Sequence, residues 1–87
     1  MKREVRFENR DRLIEVGIAI SFLRKMRGMS QEELAEKANI SRSHLSYIES
    51  PNMVQSFSLD VLYSIADALE VDAVDILKYK LPEISAK

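Results

Sequence analysis

The stretch SQEELAEKANISRSHLSYIE, residues 30–49, contains two helix starts with about one turn of chain between them. Ser30 is followed three places on by Glu33, the spacing of a capping box, in which each side chain bonds the other residue's backbone N–H. Leu34, Ala35 and Ala38 then recur at helical spacing. Asn39 stops the run, since Asn tolerates the left-handed backbone of such turns. Ile40 is the apolar pin of the turn. Ser41 opens a second helix that reaches about Glu49, with Leu45 and Ile48 turned inward. Its other residues include Arg42, Ser43, His44, Ser46 and Tyr47, nearly all hydrogen-bonding types. The pair is either one corner of a small helical core or a support for a helix that reads something.

Working outward, a long helical pattern runs from about Asn9 to Arg27, capped by Asn9 or Asp11 and ended by Gly28. Leu13, Val16, Ile20 and Leu23 form one face. Ile14, Ile18, Phe22 and Met26 form a second stripe roughly opposite, at 100° per residue. A small domain rarely buries both faces of one helix, so the termini or a partner must cover the second. Ser50 to Phe57 reads as a loop around Pro51 and Asn52. Ser58 caps a fourth helix, with Leu59, Leu62, Ile65, Ala66 and Leu69 inward. Asp72 caps a fifth, with Asp75 at the third helical position, Val74 and Leu77 inward and Pro82 beyond the end. The expected fold is all-α: five helices in one compact domain at 9–79, an N-terminal arm at 1–8 and a C-terminal tail at 80–87.

The 87 residues suffice for one small core. There is no cysteine and a single histidine, which argues against disulfides, thiolate chemistry and a structural zinc. No cofactor is implied. No phosphate-binding glycine loop and no nucleophile–base pair points to an enzyme. The longest apolar stretch, Val16 to Leu23, is interrupted by Gly17 and Ser21 and is too short to span a membrane, so the expected location is cytoplasmic. The net charge of −1 is unevenly spread: residues 1–28 carry eight Lys/Arg against four Asp/Glu, and residues 52–87 carry three against six. Such asymmetry suits a molecule with one face toward phosphate.

Residues 20–49 resemble the phage repressor and Cro-type helix-turn-helix family of DNA-binding transcriptional regulators. Ile20, Leu23, Arg24, Gly28, Ser30-Gln31, Glu33-Leu34-Ala35, Ile40-Ser41, Leu45 and Ile48-Glu49 stand in its register. Leu59, Leu62, Ile65-Ala66, Leu69 and Leu77 continue the likeness over about two thirds of the chain. The resemblance implies a lambda-repressor-like fold, in which the helix opened by Ser30 crosses the phosphate backbone and the helix opened by Ser41 enters the major groove. It implies DNA contacts from Gln31, Ser41, Arg42, Ser43, Ser46 and Tyr47. Arg42 is the strongest reader, because its fork can take guanine O6 and N7 together, worth about 1–3 kcal/mol of discrimination. It also implies a structural ion pair between Arg24 and Glu49.

The chain departs from the family at the loop before the fourth helix. Pro51 stands where many members have glycine, the loop is about two residues longer, and 50–58 contains no Lys or Arg. Asn52 would supply a neutral phosphate contact there instead. The expected partner is a palindromic double-stranded operator, bound by a homodimer and repressed or otherwise regulated by it. Two surfaces compete for the dimer contact. One is the C-terminal turn formed by Glu70, Val71, Asp72 and Asp75, with Ile76 as its outward-facing apolar residue. The other is the stripe Ile14, Ile18 and Phe22. The family analogy favours the first, leaving the stripe to Val5, Phe7, Leu81 and Ile84. The alternative function is a protein-interaction module, such as an antitoxin that docks a toxin, with DNA binding secondary.

Overall fold

The computed structural model describes residues 5–80. A 3-10 turn, Phe7–Asn9, leads into α1 (Arg10–Met26), followed by α2 (Gln31–Ala38), α3 (Arg42–Glu49), α4 (Leu59–Leu69) and α5 (Ala73–Leu77). All elements among the described residues are helical.

Local chemistry sets most of the boundaries. The Ser30 hydroxyl accepts from the Glu33 N–H at 3.0 Å, and the Glu33 carboxylate accepts from the Ser30 N–H at 2.9 Å. Ser41 and Ser58 accept from the N–H groups of His44 and Val61 at 3.0 and 3.1 Å. Gly28 leaves α1 at φ +70°, and Asn39 ends α2 at φ 59°. The same left-handed geometry closes α4 at Glu70, φ 61°, without glycine or asparagine. Of the arm expected at 1–8, residues 1–4 lie outside the described residues; Phe7 and Glu8 belong to the 3-10 turn, where Phe7 stays 79% exposed beneath the Arg10 guanidinium. Asn9 is the N-cap of α1, but its side chain accepts from no backbone N–H of the helix; its Oδ1 accepts instead from the Arg12 side chain, Nη1, at 3.4 Å.

The core is continuous: Ile20, Leu34, Leu45, Ile65, Leu69 and Ile76 are fully buried, and Ala19, Ala35, Ala38, Ile48, Leu62 and Ala66 fill in around them. Thus every helix contributes to one apolar centre, and α2 and α3 are seated on it by their inward faces.

Three expectations about orientation are corrected. Ile76 does not face outward; it is 0% exposed. Val74 and Leu77, expected inside, are 64% and 50% exposed. The face of α5 that packs is Ala73 and Ile76, continued by Tyr79 just beyond the helix, with Ala73 and Tyr79 half-buried against the core. Both sets are apolar and three residues apart, so periodicity does not choose between them. Leu59 is 67% exposed, because it is the first residue of α4 and lies beyond the inward run Leu62, Ile65, Ala66 and Leu69. The second stripe of α1 is only partly covered: Ile14 and Ile18 are half-buried, whereas Phe22 and Met26 are exposed. Phe7 does not cover it, and Leu81 and Ile84 lie outside the described residues.

Candidate nucleic-acid interface

Eight-residue α2 and eight-residue α3 are joined by Asn39, Ile40 and Ser41. The Ile40 N–H donates to the Ala35 carbonyl at 3.0 Å, folding the connection back on α2. Ile40 is half-buried against the core and holds the corner between the helices.

Helix α3 has two chemically distinct sides. Leu45, Ile48 and Glu49 are buried. Arg42, Ser43, Ser46 and Tyr47 are exposed, and no hydrogen bond to another side chain is seen for any of the four. Ser43 and Tyr47 are four residues apart, as are Arg42 and Ser46, so they share one accessible surface. Ser41 lies at the start of that surface with its hydroxyl engaged as the cap. His44 is half-buried at the flank. Asn52 is exposed in the following loop, its backbone N–H donating to Ser50 Oγ at 3.3 Å. From Ser43 to Leu77 the sequence contains neither Lys nor Arg, so Arg42 is the sole formal cation that α3 contributes.

The end of α3 is fixed from beneath. Arg24 Nε donates to Glu49 Oε2 at 2.8 Å and Arg24 Nη2 to Glu49 Oε1 at 3.0 Å, a bidentate pair with both side chains nearly buried. The third arm of the guanidinium, Nη1, donates to the Met29 carbonyl at 2.7 Å. Burying such a pair costs desolvation, so its value is chiefly geometric. It joins α1, the turn before α2 and the C-terminus of α3.

Two further features were not read from the sequence. Gln31 Nε2 donates to Glu49 Oε1 at 3.0 Å, so Gln31 is tied to the ion pair rather than lying free on the α2 surface. Gly17 faces the backbone of α3: a Cβ there would fall on the Ile48 carbonyl oxygen, with Glu49 Cα 3.4 Å away. A signal for Gly17 exists. It lies seven residues before Arg24, two turns along the same face of α1, and Arg24 is the residue that meets Glu49. Gln31 has no such local signal, because its partner is eighteen residues away. Of the expected dimer residues, Glu70, Asp72 and Asp75 are exposed, Val71 is half-buried and Ile76 is internal. No helix among the described residues is long and apolar enough to cross a membrane.

Comparison with known proteins agrees with this geometry. A family model described as helix-turn-helix matches residues 20–76. The chain is 42% identical over 62 residues to the immunity repressor protein of Bacillus phage phi105, covering 71% of this chain and 42% of that one. It is 33% identical over 63 residues to the competence pilus inhibition repressor of Acinetobacter baylyi, covering 72% of this chain and 56% of that one. The chain therefore spans about half the length of these curated relatives. Among solved structures, the restriction-modification controller protein C.Esp1396I, bound to a 25 base pair operator site, superposes with a TM-score of 0.68 at 33% identity, covering 77% of this chain and 86% of that one. With the capped helix pair, its exposed polar face and this match over most of the chain, the protein belongs to the helix-turn-helix family.

Proposed function

We propose that this chain is a sequence-specific double-stranded DNA-binding transcriptional regulator, acting by binding rather than catalysis in the cytoplasm. The observation that carries the reading is the outer face of α3: Arg42, Ser43, Ser46 and Tyr47 stand exposed on a helix whose end is clamped by Arg24 and Glu49. Such a helix fits the major groove. Arg42 reads a base pair, Ser43, Ser46 and Tyr47 contact base edges or phosphates, and Gln31, Ser41 and Asn52 hold the backbone. The repressor names of its relatives and the operator complex of its structural neighbour support the same reading.

A single motif contacts too little DNA for tight specific binding, so a homodimer on a palindromic site is part of this proposal. Its contact surface is the turn Glu70, Val71, Asp72 and Asp75, with exposed Val74 and Leu77 in the apolar role first given to Ile76. A second reading, a protein-docking module of the antitoxin kind, draws support from exposed Phe22 beside a cleft of about 360 Å³ between α1 and α5. Gel-shift titration against random-sequence duplex at low and moderate salt separates the two. Salt-sensitive binding supports the regulator; no binding at low salt removes it in favour of the docking module. Selection from a random duplex pool then yields the operator.

A further inference from the structure

Helix α1 keeps an apolar face that the described residues leave open. Phe22 is 54% exposed on it, and Ile14 and Ile18, one and two turns earlier, are half-buried. Beside Phe22 a cleft of about 360 Å³ lies between α1 and α5, with Ala19 and Leu23 on one wall and Tyr79 on the other. Phe7 does not cover this face, being itself 79% exposed.

The course of α5 leads along the same face. Arg27, just past the end of α1, donates to the Glu70 side chain and to the Glu70 carbonyl at 3.5 and 3.4 Å. The turn before α5 is therefore held at the C-terminal end of α1. By Tyr79 the chain has moved back along α1 to Ala19 and Phe22, with which Tyr79 lines the cleft. The chain thus passes Lys80 on a course toward Ile18 and Ile14. The next residues are Leu81, Pro82, Glu83 and Ile84. Pro82 fixes its own φ and biases Leu81 away from the helical region, so this sequence favours the polyproline II form. That form has three residues per turn and a rise of about 3.1 Å, which sets Leu81 and Ile84 on one side, about 9 Å apart. Along α1, Phe22 and Ile14 stand about 12 Å apart, with Ile18 midway. A pair of apolar side chains at the tail's spacing fits between those ends.

We propose that residues 81–84 return along α1 and close the cleft, with Leu81 against Phe22 and Ile84 over Ile18 and Ile14. The chain supplies its own occupant for this face. The tail is then a strap that must be displaced before any protein partner docks on Phe22, whether or not α3 binds DNA. Burying these apolar side chains together removes from water a surface that would otherwise favour association.

Nuclear Overhauser measurements on the full chain, with isoleucine and leucine methyl groups labelled, test the proposal. Leu81 methyl protons should show cross-peaks to the Phe22 ring, and the Ile84 methyl protons to those of Ile18 or Ile14. No cross-peak from residues 81–84 to any of these three side chains overturns it. The same cross-peaks arising between labelled and unlabelled copies in a mixed sample also overturn it, and assign the face to a second copy of the chain. L81S/I84S gives an independent reading. It should lower the melting temperature by about 4–8 °C. It should also shift the Phe22 ring signals, while the methyl signals of Ile65, fully buried in the core, stay in place. An unchanged melting temperature together with unchanged Phe22 signals overturns the proposal. Should the variant fail to fold, the cross-peaks of the native chain decide.

Discussion

Gly17 shows how a single missing atom can set the position of α3. Its hydrogen lies against the Ile48 carbonyl, so α1 and α3 approach more closely than any larger residue allows. Gly17→Ala gains about 0.5–1 kcal/mol of helix propensity. It also forces backbone apart in a packed core, at about 1–3 kcal/mol or more. The second effect wins, because the obstacle is main chain and cannot rotate aside. We expect the melting temperature to fall by several degrees, at about 4–8 °C per kcal/mol for a domain of this size, and DNA affinity to fall with it. An unchanged melting temperature would show that the helices can separate without cost. Arg42 is a residue of the opposite kind, exposed and dispensable for the fold. Arg42→Ala should leave the melting temperature within about 1 °C. It should remove preference at one base pair per half-site, worth about 1–3 kcal/mol there. Equal loss on all sequences in a competition assay would make Arg42 a phosphate contact instead.

At the scale of elements, helix ends were legible where a side chain supplies the cap. Ser30 with Glu33, Ser41, Ser58 and Asn39 each announce a boundary through chemistry confined to four residues, and the structure places the ends there. The α4–α5 turn was less legible, because Glu70 adopts left-handed backbone that its side chain does not favour. Such a residue costs about 1–2 kcal/mol relative to glycine. The contact of Glu70 Oε1 with Arg27 at 3.5 Å is exposed and offsets little of this. Glu70→Gly should accordingly raise stability by about 1 kcal/mol in urea titration; a drop would mean that the Arg27 contact outweighs the strain. The face of α5 was not legible for a different reason. Ala73-Ile76-Tyr79 and Val74-Leu77 are both apolar sets at the same spacing, and the structure packs the first while leaving the second exposed. The consequence is sharp. Ile76→Asp places a carboxylate at a fully buried position with no partner and should abolish the folded state by circular dichroism, not merely separate a dimer. Leu77→Lys, at a half-exposed position, should give a folded monomer by sedimentation with weakened DNA binding; a Leu77→Lys dimer would move the contact surface elsewhere.

For the whole molecule, charge distribution decides how binding responds to salt. The family register suggests the role proposed for α3, but the electrostatic weight of such an interface depends on which cations the fold brings to that side. Arg42 is the cation on α3, and the loop 50–58 has none, so on the proposed reading hydroxyl and amide groups of Gln31, Ser41, Ser43 and Asn52 would supply the remaining contacts. Neutral donors hold a phosphate without displacing its counterion, whereas each phosphate neutralised by a cation contributes about −0.9 to the slope of log K against log salt. With one cation from each α3, a dimer should show a slope of about −2 to −4, allowing for a contribution from Lys37 or the basic first helix. That is shallow beside the 6–10 neutralised phosphates of strongly salt-sensitive binders. The same reasoning gives a gain-of-function variant. Asn52 is exposed, carries no side-chain bond seen in the structure and lies in the loop that lacks cations. Asn52→Arg should add one neutralised phosphate per protomer, tightening binding at low salt and steepening the dimer slope by about 2. Titration of both proteins from about 50 to 200 mM salt measures the difference directly. Tighter binding with an unchanged slope would mean that the new side chain meets a base instead. No change in either quantity would show that this loop stands clear of the duplex, leaving α2 and α3 to hold the DNA alone.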